Sequence, residues 1–195
     1  MKTLAIVYFS GTGHTKLMAE AVAKGAAAVE GINVEVLAIL GKDIVEGRYT
    51  NKELLEKLTA SDGIIFGTPT YMGNVAGQFK TFADATAGIW FGQGWKNKVA
   101  GGFTGSGNPS GDKLQTLTYL AVLAAQHGMV WINNGEFPSH YLGKTDGVNR
   151  LGASLGIMAQ NTSPQGSPAE LYPGDELTAI AYGRRVAEFT LKLTA

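Results

Sequence analysis

The sequence contains no cysteine, and charged residues make up only 16% of its 195 residues. The absence of cysteine excludes disulfide bonds, thiolate zinc sites, iron–sulfur clusters and a cysteine nucleophile. The 16 basic residues are balanced by 16 acidic ones, which argues against a nucleic-acid binder and against an electron carrier that docks through a strongly acidic surface. The low charge content favours a protein whose surface is partly covered by partner subunits.

The sequence also lacks a long hydrophobic run. No apolar stretch approaches the roughly 20 residues that a membrane-spanning helix needs. The first apolar segment follows Met1 directly, so no signal peptide is expected, and the expected location is the cytoplasm. A chain of this length is expected to fold as one domain over residues 1–195.

Short apolar segments alternate with segments of helical spacing. The apolar segments predict strands at residues 4–9, 33–39, 62–67, 98–103 and 129–132. The first of them is almost continuously apolar, which is typical of a parallel strand covered on both faces. The alternation predicts an α/β fold, a doubly wound five-stranded parallel sheet with helices on both faces. A segment rich in Gly, Pro, Ser and Asn at 134–174 fits no predicted element, and a loop of that length is usually functional or conceals an element.

Loops rich in Gly, Ser and Thr follow the first, third and fourth predicted strands. Ligands of doubly wound sheets bind at the carboxyl ends of the strands, beside the point where the strand order reverses. The first loop, which leads into a predicted helix, consists of Ser10, Gly11, Thr12, Gly13, His14 and Thr15. Its hydroxyls and the N–H groups at the helix N-terminus form an anion cradle without Lys or Arg, which favours a monophosphate over a magnesium triphosphate. An ordinary turn with a hydroxyl cap is the alternative.

The second and third loops have a composition that suits a planar heterocycle. The second loop spans residues 67–74 and the third spans residues 104–111. They combine hydroxyls, one aromatic ring and flexible glycine backbone, which suit the polar edge and the apolar face of a flat ring. Each loop alone is typical of an ordinary turn. Three such loops at neighbouring strand ends favour a binding site.

Three segments together resemble the WrbA-type NAD(P)H:quinone oxidoreductases of the flavodoxin-like superfamily. They are Ser-Gly-Thr-Gly-His-Thr at 10–15, Gly-Thr-Pro-Thr-Tyr-Met-Gly-Asn at 67–74 and Gln-His-Gly-Met-Val at 126–130. The resemblance covers nearly the whole chain and implies the flavodoxin-like strand order 2-1-3-4-5. It also implies FMN as the cofactor, NAD(P)H as the co-substrate and a quinone as the second substrate. The chain departs from the family at Tyr71, where many relatives have Arg, and at Thr12, where an aromatic residue is common.

The resemblance implies that the FMN phosphate binds in the first loop and that the isoalloxazine ring lies between the second and third loops. The implied cofactor contacts are Ser10, Gly11, Thr12, Gly13, His14, Thr15, Pro69, Thr70, Tyr71, Met72, Gly73, Asn74, Gly105, Ser106, Gly107, Asn108, Pro109, Ser110 and His127. His127 is implied to lie at the pyrimidine edge of the ring, where a donor stabilises negative charge; a structural histidine is the alternative. Trp90 and Tyr71 are implied to wall the substrate pocket, and ordinary packing is the alternative for Trp90.

Two functions remain open. In the first, an FMN enzyme transfers two electrons from NAD(P)H to quinones by a ping-pong mechanism; in the second, a flavodoxin-type protein carries electrons without quinone reductase turnover. The zero net charge and the long 134–174 segment favour the enzyme, because a carrier usually presents an acidic docking surface. No catalytic side chain and no metal is expected, since the flavin carries the chemistry. The low charge content and the resemblance also imply a homotetramer or homodimer.

Overall fold

The computed structural model describes residues 1–164 and 167–193. The strands of this part of the chain are β1 (Lys2–Tyr8), β2 (Ile32–Ala38), β3 (Ile44–Val45), β4 (Arg48–Tyr49), β5 (Gly63–Tyr71), β6 (Asn74–Val75), β7 (Val99–Ser106), β8 (Val130–Trp131) and β9 (Ile157–Gln160). The helices are α1 (His14–Ala27), α2 (Lys52–Ala60), α3 (Gly77–Ala85), α4 (Ala87–Phe91), α5 (Lys113–Gln126) and α6 (Pro173–Leu193). Two short 3-10 helices, Gly41–Asp43 and Ser139–Leu142, lie in the connections.

The main sheet has the strand order β2-β1-β5-β7-β8, and β9 also pairs with β7. All of these pairs are parallel. The order confirms the predicted doubly wound fold and its 2-1-3-4-5 arrangement, because β5, β7 and β8 are the third, fourth and fifth predicted strands. The chain continues from β1 to β2 on one side and from β5 to β7 on the other side, so the strand order reverses between β1 and β5. In such sheets a crevice opens at the carboxyl ends of these two strands.

The fifth position of the sheet is shared by two short strands. β8 pairs with the start of β7, whereas β9 pairs with its end, from Phe103 to Ser106. Residues 132–156 loop out between the two. The strand predicted at 129–132 is therefore only the first half of this position, and the 134–174 segment contains the second half.

A buried tyrosine spans the gap between the two halves. The Tyr182 hydroxyl donates a hydrogen bond to the Ile132 carbonyl oxygen (2.7 Å) and accepts one from the Gly102 N–H (3.0 Å). In a continuous parallel ladder these two backbone groups would pair directly. The hydroxyl is therefore inserted at the point where the ladder opens. Gly101 makes room for it, since a Cβ there would lie 2.5 Å from the Tyr182 hydroxyl oxygen.

Helices cover both faces of the sheet. Leu4 and Ile6 of β1 join the core beneath α1 and α6, and the alternate residues of the same strand join the core beneath α2, α3 and α5. α1 and α6 approach each other closely, because a Cβ on Gly183 would lie only 1.9 Å from the Val22 carbonyl oxygen. Together, α1 and α6 support the strands that carry the first and third loops.

Two negative findings concern residues 1–164 and 167–193. No helix there combines the length and the hydrophobicity that a membrane crossing requires. No group of three or more His, Asp or Glu side chains there is arranged to hold a metal ion.

Candidate functional site

The three loops predicted to bind a ligand meet at the carboxyl edge of the sheet. β1, β5 and β7 are neighbours, with Tyr8 opposite Gly67 and Gly67 opposite Phe103. The loops that follow these strands therefore lie side by side. Tyr71, predicted to lie in the second loop, is the last residue of β5 and rests on the first loop, since a Cβ on Gly11 would lie 2.3 Å from the Tyr71 hydroxyl oxygen. The structure thus brings the three loops together as one surface.

Ser10 shapes the first loop. Its hydroxyl oxygen accepts hydrogen bonds from the N–H groups of Gly13 (3.1 Å) and Lys16 (3.3 Å), and its own hydrogen stays available to a ligand. Gly13 has a left-handed φ of 96° directly before α1, a conformation that a larger residue adopts only with strain. No acidic residue occupies the first turn of α1. The helix N-terminus therefore presents a neutral cradle of N–H and hydroxyl groups, which fits a phosphate group.

His14 and a distant serine close one side of this cradle. His14 Nδ1 lies 3.1 Å from the Thr12 hydroxyl oxygen, and His14 Nε2 lies 3.2 Å from the Ser163 hydroxyl oxygen. Burial lowers the pKa of His14, so the ring is mostly neutral at pH 7. The Ser163 hydroxyl oxygen also accepts a hydrogen bond from the Glu170 N–H (2.9 Å). The sequence pattern does not predict Ser163, because it comes from the segment that fits no predicted element.

Buried hydroxyls fix the strand ends that carry the second and third loops. The Thr70 hydroxyl oxygen lies 2.9 Å from that of Thr104, and the Thr70 hydroxyl donates a hydrogen bond to Thr116 (2.8 Å). The Thr68 hydroxyl oxygen accepts a hydrogen bond from the Ala76 N–H (3.1 Å), which ties the far side of the turn back to β5. Because the partners of Thr70 lie inside the protein, a ligand at this position would meet its backbone rather than its hydroxyl.

The tip of the second loop presents an aromatic ring. Met72 and Gly73 form a turn in which both residues have left-handed φ angles, 47° and 79°. The Met72 side chain is fully exposed, and Tyr71 is 42% exposed beside it. Asn74 stabilises the turn, since its Oδ1 accepts a hydrogen bond from the Val75 N–H (2.8 Å). Tyr71 is therefore the ring at the mouth of the candidate site.

The third loop closes around a buried lysine that the sequence pattern does not predict. Lys113 donates hydrogen bonds to the Ser106 hydroxyl oxygen (2.8 Å) and to the carbonyl oxygens of Asn108 (2.7 Å) and Pro109 (3.0 Å). Its side chain is fully buried, and this burial lowers its pKa to about 8. The residue before it, Asp112, has a left-handed φ of 54°. The loop is thus folded around a cation.

The end of β9 borders the third loop from the other side. The Asn161 N–H donates to the Ser106 carbonyl oxygen (2.8 Å), and the Gln160 side-chain amide donates to the Gly107 carbonyl oxygen (3.3 Å). Asn161 Oδ1 is buried and has no hydrogen-bond partner among the described residues. It lies beside Gly105, where a Cβ would approach it to 2.9 Å. An unpaired buried acceptor at this place suits an N–H group of a ligand.

His127 and Trp90 lie at the opposite edge of the sheet. His127 follows the last residue of α5, just before β8, and α4 carries Trp90. His127 Nε2 lies 2.9 Å from the Thr86 hydroxyl oxygen, and the ring stacks on Trp95 with the centroids 4.4 Å apart. Burial lowers the pKa of His127, and its Nδ1 is buried without a partner in the described part of the chain. Both residues line a cavity of about 400 Å³, which Tyr119 borders as well.

Within one chain, His127 and Trp90 do not lie beside Tyr71, so a single chain does not form the predicted flavin contact of His127 or a pocket shared by Trp90 and Tyr71. α5 begins at the carboxyl edge of the sheet and runs back across it, so His127 lies where β7 begins. An eight-residue strand such as β7 spans roughly 25 Å. One small ligand cannot contact both edges. Of these three residues, Tyr71 alone lies with the loops.

Comparisons with known proteins agree with the fold. A family model described as NADPH-dependent FMN reductase matches residues 1–142. The chain is 41% identical to Flavodoxin FldP of Pseudomonas aeruginosa over the full length of both proteins. It is 32% identical to an NAD(P)H dehydrogenase (quinone) of Syntrophobacter fumaroxidans, over all of this chain and 99% of that protein. Among solved structures, the flavodoxin, WrbA-like protein from Agrobacterium tumefaciens is 41% identical, with 99% of each chain covered and a TM-score of 0.74.

Proposed function

Because this chain belongs to the family of NADPH-dependent FMN reductases and is WrbA-type, we propose that it reduces quinones with electrons from NAD(P)H. FMN is its cofactor and NAD(P)H its co-substrate. When bound, FMN supplies the redox chemistry, by taking up a hydride and giving up two electrons. A relative named NAD(P)H dehydrogenase (quinone) supports the choice of quinone. The observation that carries the proposal is that three loops meet at the carboxyl edge of the sheet, with an exposed aromatic ring among them.

The first loop is proposed to hold the FMN phosphate. The hydroxyls of Ser10, Thr12 and Thr15 and the N–H groups at the start of α1 supply donors, and the helix dipole favours an anion at this end. His14 orients Thr12 through the hydrogen-bond contact at its Nδ1. A neutral cradle suffices for a monophosphate, because each charge-assisted hydrogen bond is stronger than one between neutral groups.

The second and third loops are proposed to hold the isoalloxazine ring. The backbone from Pro69 to Asn74 and from Gly105 to Ser110 would meet its polar edge, and the unpaired Asn161 oxygen would accept a hydrogen bond from a ring N–H. Tyr71 would stack beside the ring or its guest, because its side chain is exposed and lies over the first loop. This placement fits a flat ring with donors and acceptors along one edge.

One open face for two substrates implies a ping-pong mechanism. Nicotinamide and quinone both have to lie within about 3–3.5 Å of the flavin ring for transfer, so each excludes the other. The oxidised nicotinamide would leave before the quinone binds. Trp90 and His127 can then contribute to this pocket only from a second copy of the chain. The sheet edge at which the strands of that second copy begin would cover the loops of the first copy.

Steady-state kinetics test this proposal. NAD(P)H is varied at several fixed concentrations of benzoquinone, and parallel double-reciprocal lines are expected. Trp90→Ala is expected to raise the KM for the quinone and to leave the FMN affinity unchanged. Intersecting lines would show that both substrates bind together, which contradicts the single open face.

A flavodoxin-type electron carrier is the second candidate function, and the relative named Flavodoxin FldP favours it. The zero net charge of the chain opposes it, because carriers usually dock through an acidic surface. Anaerobic spectra separate the two functions. Rapid bleaching of the flavin by NAD(P)H alone, followed by reoxidation with benzoquinone, is expected of the enzyme. A flavin that NAD(P)H does not reduce would support the carrier.

A further inference from the structure

A buried lysine organises the loop that borders the proposed ring site. Lys113 is the first residue of α5 and is fully buried, although lysine is among the residues least often buried. Its ammonium group meets three acceptors at 2.7–3.0 Å, the Ser106 hydroxyl oxygen and the carbonyl oxygens of Asn108 and Pro109. All three acceptors belong to the third loop. The ammonium group therefore joins the end of β7 to the tip of this loop.

Two charged side chains from other elements face Lys113. Asp175 in the first turn of α6 raises the pKa of Lys113, and Arg150 of the looped-out segment lowers it. Arg150 and Asp175 form a two-pronged ion pair with each other, at 2.8 and 2.9 Å, so their effects on Lys113 oppose each other. Burial has the largest effect and brings the pKa to about 8. The ammonium group is thus held by neutral oxygens and loses its proton at mildly basic pH.

The carbonyl groups that point at Lys113 also fix the direction of a backbone donor. The C=O and N–H of one trans peptide unit point in opposite directions. Because the Pro109 carbonyl points at the ammonium group, the Ser110 N–H points away from it. Residues 107–110 are exposed, so this N–H is directed to the outer side of the loop. A neutral side chain at position 113 offers at most two N–H donors to the three oxygens and would hold the carbonyl inward less firmly, and a side chain without donors would not hold it.

We propose that Lys113 is a positioning residue for FMN, which holds the third loop in the shape that binds the flavin ring. This inference rests on the proposed placement of the ring beside the loop. The ammonium group acts through its hydrogen bonds to oxygen atoms of Ser106, Asn108 and Pro109. The affinity for FMN therefore depends on the proton that Lys113 carries.

Titration of the FMN-free protein with FMN, followed by quenching of flavin fluorescence, tests the inference. At pH 7, Lys113→Met is expected to raise the Kd about tenfold to a hundredfold, as for the loss of hydrogen bonds to a charged group. Lys113→Gln keeps two N–H donors and is expected to give an intermediate Kd. Lys113→Gln also replaces Lys113→Met in the titration if Lys113→Met fails to fold. Circular dichroism and the unfolding midpoint confirm that the variants used are folded.

Lys98 provides a matched control at the opposite edge of the sheet. It is partly buried, its ammonium group donates to the Ser61 carbonyl oxygen, and burial lowers its pKa as well. Lys98→Met therefore removes a partly buried charge that lies far from the third loop of the same chain. It is expected to lower stability and to leave the Kd for FMN unchanged. An equal loss of FMN affinity in Lys98→Met would mean that general destabilisation explains the effect.

The pH profile separates positioning from a merely structural role. The Kd of the wild type is expected to rise between about pH 7 and 9.5, as the Lys113 ammonium group with its pKa of about 8 is lost. Lys113→Met, measured over the same range, corrects for the titration of FMN itself and is expected to lack this component. The inference is overturned if wild type and both Lys113 variants bind FMN equally, or if Lys113→Met keeps the wild-type profile. A wild type that binds no FMN would instead overturn the cofactor assignment.

Discussion

Replacing Tyr182 with Phe tests the junction between the two halves of the fifth strand position. The change removes one oxygen atom and leaves the fully buried ring in place. Two hydrogen bonds are lost, and the Gly102 N–H and the Ile132 carbonyl oxygen remain in the interior without a partner. Because each unpaired buried group costs about 1–3 kcal/mol, we expect the free energy of unfolding to fall by about 2–6 kcal/mol. This is a large part of the roughly 5–15 kcal/mol that stabilises a typical domain.

Tyr49 offers a matched control for this substitution. Its hydroxyl is buried and has no hydrogen-bond partner among the described residues, and its ring packs edge-on against Phe82 with the centroids 5.6 Å apart. Burial raises the pKa of both Tyr49 and Tyr182, so both hydroxyls are protonated at neutral pH. Removing an unpaired buried hydroxyl removes a desolvation cost. Tyr49→Phe is therefore expected to keep the free energy of unfolding within about 0.5 kcal/mol of the wild type or to raise it.

Urea unfolding of the FMN-free protein, followed by circular dichroism, measures both effects. Native-state hydrogen exchange adds a local measurement, because the Gly102 amide is expected to lose more protection in Tyr182→Phe than the amides of β1. Equal stability losses in the Tyr182 and Tyr49 variants would refute the reasoning. So would a change below about 0.5 kcal/mol for Tyr182→Phe, because the ladder would then close directly between Ile132 and Gly102.

Three further predictions concern the phosphate cradle, the buried lysine and assembly. Thr15→Ala is expected to weaken FMN binding about tenfold to a hundredfold, whereas Thr118→Ala, which removes an exposed hydroxyl on α5, should not; equal Kd values would place the phosphate elsewhere. The pKa of Lys113 is lower in the folded protein, about 8, than its ordinary value of 10.5, so the unfolded chain binds more protons between these values. In urea titrations, the free energy of unfolding of the wild type minus that of Lys113→Met should therefore rise with pH between these two pKa values. A difference that does not change with pH would contradict this prediction. Light scattering should show a dimer or tetramer, and a single ~20 kDa species at micromolar concentration would exclude the shared pocket.

The positions of the five predicted strands and the first loop could be predicted because local patterns determine them, whereas β5 and β7 continue to Tyr71 and Ser106, into the segments predicted as the second and third loops. A parallel strand covered on both faces has to be apolar along its length, and the loops carry their own Gly, Ser and Thr residues. The second half of the fifth strand position could not be predicted in this way. Its four residues, Ile157–Gln160, carry too short a pattern, and pairing with the distant β7 defines them as a strand.

The place of His127 follows from the predicted fold, and the burial of Lys113 depends on the three-dimensional path of the chain. His127 stands just before the fifth predicted strand, and strands of a parallel sheet begin at the edge away from the loops, so the predicted fold itself places His127 at that edge, whereas the resemblance implies a flavin contact. Lys113 would ordinarily be assigned to a solvated helix face. It is buried because a loop with three inward-facing oxygens closes over it, and the shape of that loop depends on the lysine itself.

The divided fifth position also determines how this side of the sheet meets other molecules. An outermost strand exposes unpaired N–H and C=O groups, and an uninterrupted one can recruit a strand from another chain, which leads to aggregation. Here that border consists of two residues of β8 and four of β9, with residues 132–156 looped out between them. An incoming strand therefore finds no continuous row of partners. The interruption protects the protein against strand addition at this border, so copies that associate on this side must do so through helices and loops.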